Sequence, residues 1–384
     1  MTVFAAALRL GATSFGGPIA HVGFFREEYV ARRRWIRDEE FSELVAVTNL
    51  LPGPMSSQLG MAIGAHRAGV PGALAAWVGF TLPSAVAMTA LALVVGSTDV
   101  AGAGWVHGLE LVAVPIVLLA VLAMRRTLAP DRVRLALAVA GAVAALALGG
   151  FAGQFAALAL GAVVGVALFR DVERAPALSM RIGRRGWLAV ACLATLGGLL
   201  VGLPALRDLT DSHAVALVDA MVRSGSFVFG GGHVVLPLLD QALVEPGWVS
   251  EQEFLAGYGL AQAMPGPLFT FAAYLGALEE PAPNGVVGAA LALIAIYVPS
   301  FLLLGGVLPF WSSIRGYARA RAALTGVGAA VVGVLAAALW DPILTGSVES
   351  AGDLVFAGAL LVLVRVVPVW AVVLVAAAAG AILF

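Results

Sequence analysis

Trp35-Ile36-Arg37-Asp38-Glu39-Glu40-Phe41 and Trp248-Val249-Ser250-Glu251-Gln252-Glu253-Phe254 are one segment written twice, 213 residues apart. Outward from that segment, the same order recurs on both sides. Phe15-Gly16-Gly17-Pro18 returns as Phe229-Gly230-Gly231-Gly232, Pro52-Gly53-Pro54 as Pro265-Gly266-Pro267, and Leu82-Pro83-Ser84 as Val298-Pro299-Ser300, at offsets of 214, 213 and 216. Chance gives one such match, hardly four in register. The chain reads as two copies of one membrane unit, residues 1–170 and 214–384. A basic loop and an extra apolar segment, 187–205, lie between them within 171–213. In an apolar protein a repeat of this length points to the two-fold architecture of transporters, not to a solenoid.

Composition identifies the solvent. Of 384 residues, 61% are hydrophobic and 12% charged, and the mean hydropathy is +0.99. The charged share is about half that of a soluble protein. These values exclude a soluble enzyme, a nucleic-acid binder and a disordered chain. They imply an all-α polytopic membrane protein whose apolar segments of roughly 20 residues cross a bilayer. The net charge of −1 offers nothing to a nucleic acid. Cys192 is alone, so no intrachain disulfide or thiol metal cluster is available. The N-terminus lacks the basic region and cleavage site of a signal peptide, so the first apolar segment is expected to be retained.

Arginine placement orients the copies, because loops rich in it stay in the cytoplasm. Residues 24–40 hold Arg26, Arg32, Arg33, Arg34 and Arg37, whereas the equivalent 241–253 holds only Glu245, Glu251 and Glu253 as charged residues. Residues 124–135 hold Arg125, Arg126, Arg132 and Arg134; the equivalent 341–352 has none. Conversely, 96–104 is Arg-free while 310–321 holds Arg315, Arg319 and Arg321. The bias reverses at each pair, as an inverted-topology repeat requires, and 187–205 supplies the odd crossing. Alternation then works only if the segments broken at Gly16-Gly17-Pro18 and Pro52-Gly53-Pro54, with their mates, are re-entrant hairpins. This gives nine full spans and four broken segments, and leaves Arg207 alone in an outside loop. Arg32-Arg33-Arg34 reads as a topology determinant at the lipid surface.

Broken backbone at membrane depth must be buried in protein or line an aqueous cavity, and paired breaks in two copies are the best sequence pointer to a transport site. Arg9 and Arg223 each lie six residues before the Phe of their break, in apolar surroundings. A charge there should face the bundle interior or water, and guanidinium is a planar fork suited to oxyanions. The competing reading is a structural salt bridge to Glu110, Asp219 or Asp240, or a snorkelling side chain. Phe15, Gly16, Gly17 and Pro18, with Phe229, Gly230, Gly231 and Gly232, allow one half-helix to end and another to begin, exposing N–H groups to an anion; the competing reading is tight small-residue packing. Pro52, Gly53 and Pro54 with Ser56, Ser57 and Gln58, and Pro265, Gly266 and Pro267 with Thr270, free helix ends and add hydroxyls; the competing reading is a kink. Asn49 and Gln262 are matching amides three residues before each first Pro. His21, His233 and Glu110 are candidates for proton coupling, with hydrogen-bonded packing or charge pairing as the alternative.

These residues also carry a resemblance. Phe15-Gly16-Gly17-Pro18-Ile19-Ala20-His21, Arg32-Arg33-Arg34-Trp35 and Leu51-Pro52-Gly53-Pro54-Met55-Ser56-Ser57-Gln58 closely resemble the first half of the chromate ion transporter family in its long two-domain form. Phe229-Gly230-Gly231-Gly232-His233-Val234-Val235-Leu236-Pro237 and Gln262-Ala263-Met264-Pro265-Gly266-Pro267 resemble its second half. The resemblance covers nearly the whole chain. It implies an inner-membrane protein that exports chromate and confers chromate resistance, driven by the membrane potential or proton gradient, with sulfate as the structural analogue. By motif match it carries over Arg9, Phe15 to Pro18, Pro52 to Pro54, Ser56, Ser57, Gln58, Gly230 to His233 and Pro265 to Pro267. Asn49 departs from the Gln expected of the family.

The leading expectation is a secondary transporter of a tetrahedral oxyanion working by alternating access. An anion channel or a carrier of another anion comes second, and a non-transporting membrane protein third. Zinc-helix, P-loop and nucleophile-elbow motifs are absent, so no enzyme, cofactor or metal is expected; the expected partners are the oxyanion, the bilayer and, as a candidate assembly, a second copy in a homodimer.

Overall fold

In a computed structural model, residues 2–96, 103–169, 186–229, 232–311 and 317–384 are described, and among them every regular element is helical. The protein is an all-α polytopic membrane protein. Among the described residues, five helices are long and apolar enough to cross a membrane: Met55–Gly96, Gly104–Leu128, Gly186–Thr210, Gly285–Phe310 and Ala318–Ser347. Other apolar stretches that the charge alternation counts as crossings form shorter helices, such as Ala351–Leu363 and Val369–Leu383, which are parted around Pro368. Proline lacks the N–H that would carry the helix through.

The described residues form two compact units, each drawing on both halves of the sequence. The first combines Met1–Leu93, Arg174–Gly232 and Met264–Gly316. Its core gathers Ala6, Leu10, Phe25, Tyr29, Phe41, Leu44, Leu59 and Phe80. Glycines set its helix contacts. A Cβ on Gly11 would strike the Phe80 carbonyl and one on Gly225 the Ile296 carbonyl, so Val3–Thr13 lies tight on the helix carrying Phe80, and His213–Ser226 on Gly285–Val307. Met55–Gly96 is broken at Ala68 and Gly69, beyond which Gly72 and Ala76 pack back onto Gly64. Gly276 and Gly288 meet in the same way across the turn between Phe271–Leu278 and Gly285–Val307. Gly186–Thr210 is peripheral: only Ala189 and Leu196 are buried, while Trp187, Val201 and Leu209 are exposed, as on a lipid-facing helix.

The second unit combines Val94–Glu173, His233–Ala263 and Tyr317–Phe384. Gly104–Leu128 packs on Ala351–Leu363 and Val369–Leu383, whereas Ala318–Ala338 packs on Arg132–Leu148 and Gly150–Leu168. Each half thus lends its long helix to the closing helices of the other. Small residues permit the approach: Gly108 abuts Ala376, and Gly161 and Gly165 abut Gly326 and Ala322.

Local structure repeats as well. Gly17–Phe25 runs into a π-helical turn, Arg26–Arg32, just as Val235–Leu239 runs into Asp240–Val244. The next helices, Asp38–Leu50 and Glu251–Ala263, start from matching boxes. Glu40 accepts from the Arg37 N–H, and Glu253 accepts from the Ser250 N–H while the Ser250 hydroxyl accepts from the Glu253 N–H.

Candidate functional site

In the first unit the helix Val3–Thr13 stops at Ser14, Gly16 and Gly17 turn at φ of 98° and 75°, and Pro18 opens Gly17–Phe25. Glycine takes these left-handed angles without the Cβ conflict of other residues. Asp38–Leu50 stops before Pro52, Gly53 turns at φ 116°, and a new helix begins at Met55. Gly266 repeats the turn at φ 94°.

These breaks are joined across the two halves. The Gly53 N–H donates to the carbonyl of Val228 at 2.7 Å, and the Gly266 N–H donates to the carbonyl of Ser14 at 2.9 Å. Val228 and Ser14 are the residues just before Phe229 and Phe15. Each Pro-Gly-Pro break is therefore fastened to the Phe-Gly break of the other half. The fourth repeated motif meets the same nodes: a Cβ on Gly53 would lie 2.7 Å from the Ser300 hydroxyl, and one on Gly266 would lie 2.9 Å from the Ser84 hydroxyl. Each node joins three motifs, one from its own half and two from the other.

Hydroxyls and amides crowd the first node. Gln58 donates to the Pro52 carbonyl at 2.6 Å and approaches the Ser300 hydroxyl at 3.4 Å. Ser57 pairs with the Tyr297 hydroxyl at 3.2 Å. Nε2 of His21 lies 3.2 Å from the Ser14 carbonyl, which only accepts, so Nε2 carries the proton and Nδ1 accepts from Ser56 at 3.1 Å. His21 thereby links the two breaks of the first half. At the second node Thr270 donates to the Pro267 carbonyl at 2.9 Å. Among the described residues, the Ser14 hydroxyl, Oε1 of Gln58 and Nε1 of Trp77 are buried without a hydrogen-bond partner. Orphaned groups of this kind mark places where water or a ligand completes the bonding.

The two arginines meet carboxylates. Arg9 lies 3.7 Å from Glu28, which Arg33 and Arg32 also approach at 2.7 and 3.4 Å. Arg223 lies 2.8 Å from Asp219, which Arg207 approaches at 3.3 Å. The salt-bridge alternative thus has geometry behind it, with Asp219 as the internal partner of Arg223. Three guanidiniums share Glu28, which leaves that cluster with an excess of positive charge, whereas Arg207 also bonds Asp208 at 2.9 Å, so the second cluster sets two arginines against two aspartates.

The other expected site residues have surroundings of their own. Asn49 is exposed near the end of Asp38–Leu50, and Gln262 is half-buried on Glu251–Ala263 in the second unit. His233, also in the second unit, bonds the Tyr258 hydroxyl at 2.6 Å. Glu110 there pairs with His107 at 3.3 Å, and His107 reaches Asp353 at 3.2 Å. Phe15 and Phe229 are half-buried; Gly230 and Gly231 lie outside the described residues. Sequence reasoning did not assign Ser14, Trp77, Tyr297 or Ser300 to the site. Ser84 and Ser300 carried a signal, being the polar residues of a duplicated motif; Trp77 and Tyr297 carried none.

Comparison with known proteins places these features in a family. The chromate transporter family model matches residues 1–166 and 215–381. The chain is 27% identical to a chromate transport protein of Pseudomonas aeruginosa over 88% of its own length and 80% of the relative's. It is 26% identical to a probable chromate transport protein of Synechococcus elongatus (86% and 81% covered) and to a chromate transport protein of Cupriavidus metallidurans (86% and 80% covered). No solved structure matches the chain.

Proposed function

The chain belongs to the chromate transporter family, and from that premise we propose that this ion transporter exports chromate across the bacterial inner membrane by alternating access, with sulfate as a competing analogue. The observation that carries this reading is the reciprocal pair of hydrogen bonds, Gly53 to Val228 and Gly266 to Ser14. It ties four interrupted segments into two equivalent nodes, the arrangement expected of a site built from helix ends. Freed N–H groups, the unpartnered Ser14 hydroxyl and the arginine-rich cluster at Glu28, with Arg223 as a further cation, give the unit donors and positive charge suited to a tetrahedral dianion. The two segments matched by the family model, and the exchange of long helices between halves, support two copies of inverted topology. His21 and Glu110 are the proton-coupling candidates in this reading.

The test is radiolabelled chromate flux in proteoliposomes under an imposed potential or proton gradient. Arg9→Gln and Arg223→Gln are each expected to lower the initial rate at least tenfold, and excess sulfate to inhibit the wild type. Flux untouched by both substitutions would overturn the arginine assignment, and chromate flux without counterflow would favour a channel.

A further inference from the structure

Apart from the nodes, a cavity of about 340 Å³ in the second unit is lined by Gln154, Asp240, Gln241, Glu245, Glu251 and Asp341, among others. Four carboxylates and two amides meet there, and no basic side chain is among the lining residues. Exposure is graded: Glu245 and Asp341 are exposed, Asp240, Gln241 and Glu251 half-buried, and Gln154 buried at 4% exposure. Among the described residues the Gln154 amide has no hydrogen-bond partner, and Oδ1 of Asp240 and Oε1 of Gln241 are buried acceptors without one. Thr345 donates to Asp341 at 3.1 Å. A pocket of one sign concentrates ions of the other.

The first half of the chain shows what is missing. Asp240 and Glu251 begin the π-helical turn and the following helix, as Arg26 and Asp38 do in the other half. Arg26 and Asp38 close on each other in two hydrogen bonds of 2.6 and 2.9 Å. In the second half the arginine has become an aspartate, and no basic residue among those lining the cavity replaces its charge.

We propose that this cavity is a binding site for a hydrated divalent cation, whose water shell donates to the carboxylates of Asp240, Glu251 and Asp341 and to the amide oxygens of Gln154 and Gln241. The ion keeps its water shell, because among the described residues no three His, Cys, Asp or Glu side chains are arranged to hold a metal ion. The volume accommodates about ten waters. The site is independent of the oxyanion reading, and its test reads binding, not transport.

Full-length, metal-stripped protein in detergent is titrated with Mn2+, and the loss of the free-ion electron paramagnetic resonance signal is followed. One saturable Mn2+ per chain is expected, displaced by Mg2+ but not by Na+ at equal ionic strength. Asp240→Asn and Asp341→Asn should each weaken binding at least tenfold. Gln154→Leu, which changes no charge, should weaken it at least threefold, and Glu280→Gln on the open surface should leave it unchanged. Gel filtration checks that each variant is folded; Gln241→Leu stands in for any that aggregates. Absence of saturable binding, displacement by Na+, or binding indifferent to all the cavity substitutions would overturn the proposal.

Discussion

Gly53 and Gly266 hold the nodes through what they lack. Their φ angles of 116° and 94° are open to glycine but strained for any other L-residue, at a cost of about 1–2 kcal/mol. A Cβ on Gly53 would also press on the Gln58 amide at 2.5 Å. Gly53→Ala and Gly266→Ala should therefore each lower the thermal midpoint by several degrees in a detergent melt and slow anion flux. Gly23→Ala, whose new methyl meets nothing within 4 Å, should do neither. His213 and Glu279 give a titration at the same scale. They lie 3.0 Å apart outside the long spans, and burial favours the neutral pair: it pushes the Glu279 carboxyl up to about 8 and lowers His213. An unfolded chain releases the glutamic proton near 4.5 while the folded chain keeps it, so this group stabilises the fold at low pH. That contribution fades as pH rises from about 4.5 through about 8. Glu279→Gln keeps a donor for His213 but removes the titration, so the fall of thermal midpoint across this window should flatten. An unchanged slope would show that other groups set it.

Elements respond to glycine spacing more than to hydrophobic pattern. Gly64 faces Gly72 and Ala76 across the break at Gly69, and Gly276 faces Gly288 in the other half. Gly72→Leu puts a side chain where the Gly64 carbonyl lies, and overpacking of this kind costs about 1–3 kcal/mol or more. The variant should melt lower than Gly197→Leu, made at a site with open space, when both are compared by detergent melt. Much at this level was readable beforehand: the breaks at Phe15-Gly16-Gly17-Pro18 and Pro52-Gly53-Pro54, and the apolar segment at 187–205, which forms Gly186–Thr210. What was not readable has physical causes. The turns at Arg26–Arg32 and Asp240–Val244 are π-helical through backbone pairing that side chains do not advertise. Glu28 became visible as an arginine partner only when the fold brought Arg9 and Arg33 to it, whereas Asp219 had been offered by sequence and does pair with Arg223. Asp240, one of three acids offered to the arginines by sequence, lines an acidic cavity instead.

For the whole molecule, the reversed arginine bias predicts that equivalent positions face opposite sides of the membrane. Glu39 and Gln252 are such a pair, and both are exposed. In a Cys192→Ala background, Glu39→Cys should react with an impermeant maleimide only from the cytoplasmic side, and Gln252→Cys only from the outer side. Labelling of both from one side would refute the inversion. Cross-fastening also bears on synthesis. The Gly53 N–H waits for a carbonyl at Val228, roughly 175 residues further along the chain. At about 5–20 residues per second that is a delay of some 10–35 seconds. Through that interval the nascent first half sits in the insertion machinery with its central break unclosed. Ribosomal pausing ahead of Val228 would lengthen the exposure, and a truncation before it would leave the first half unable to lock.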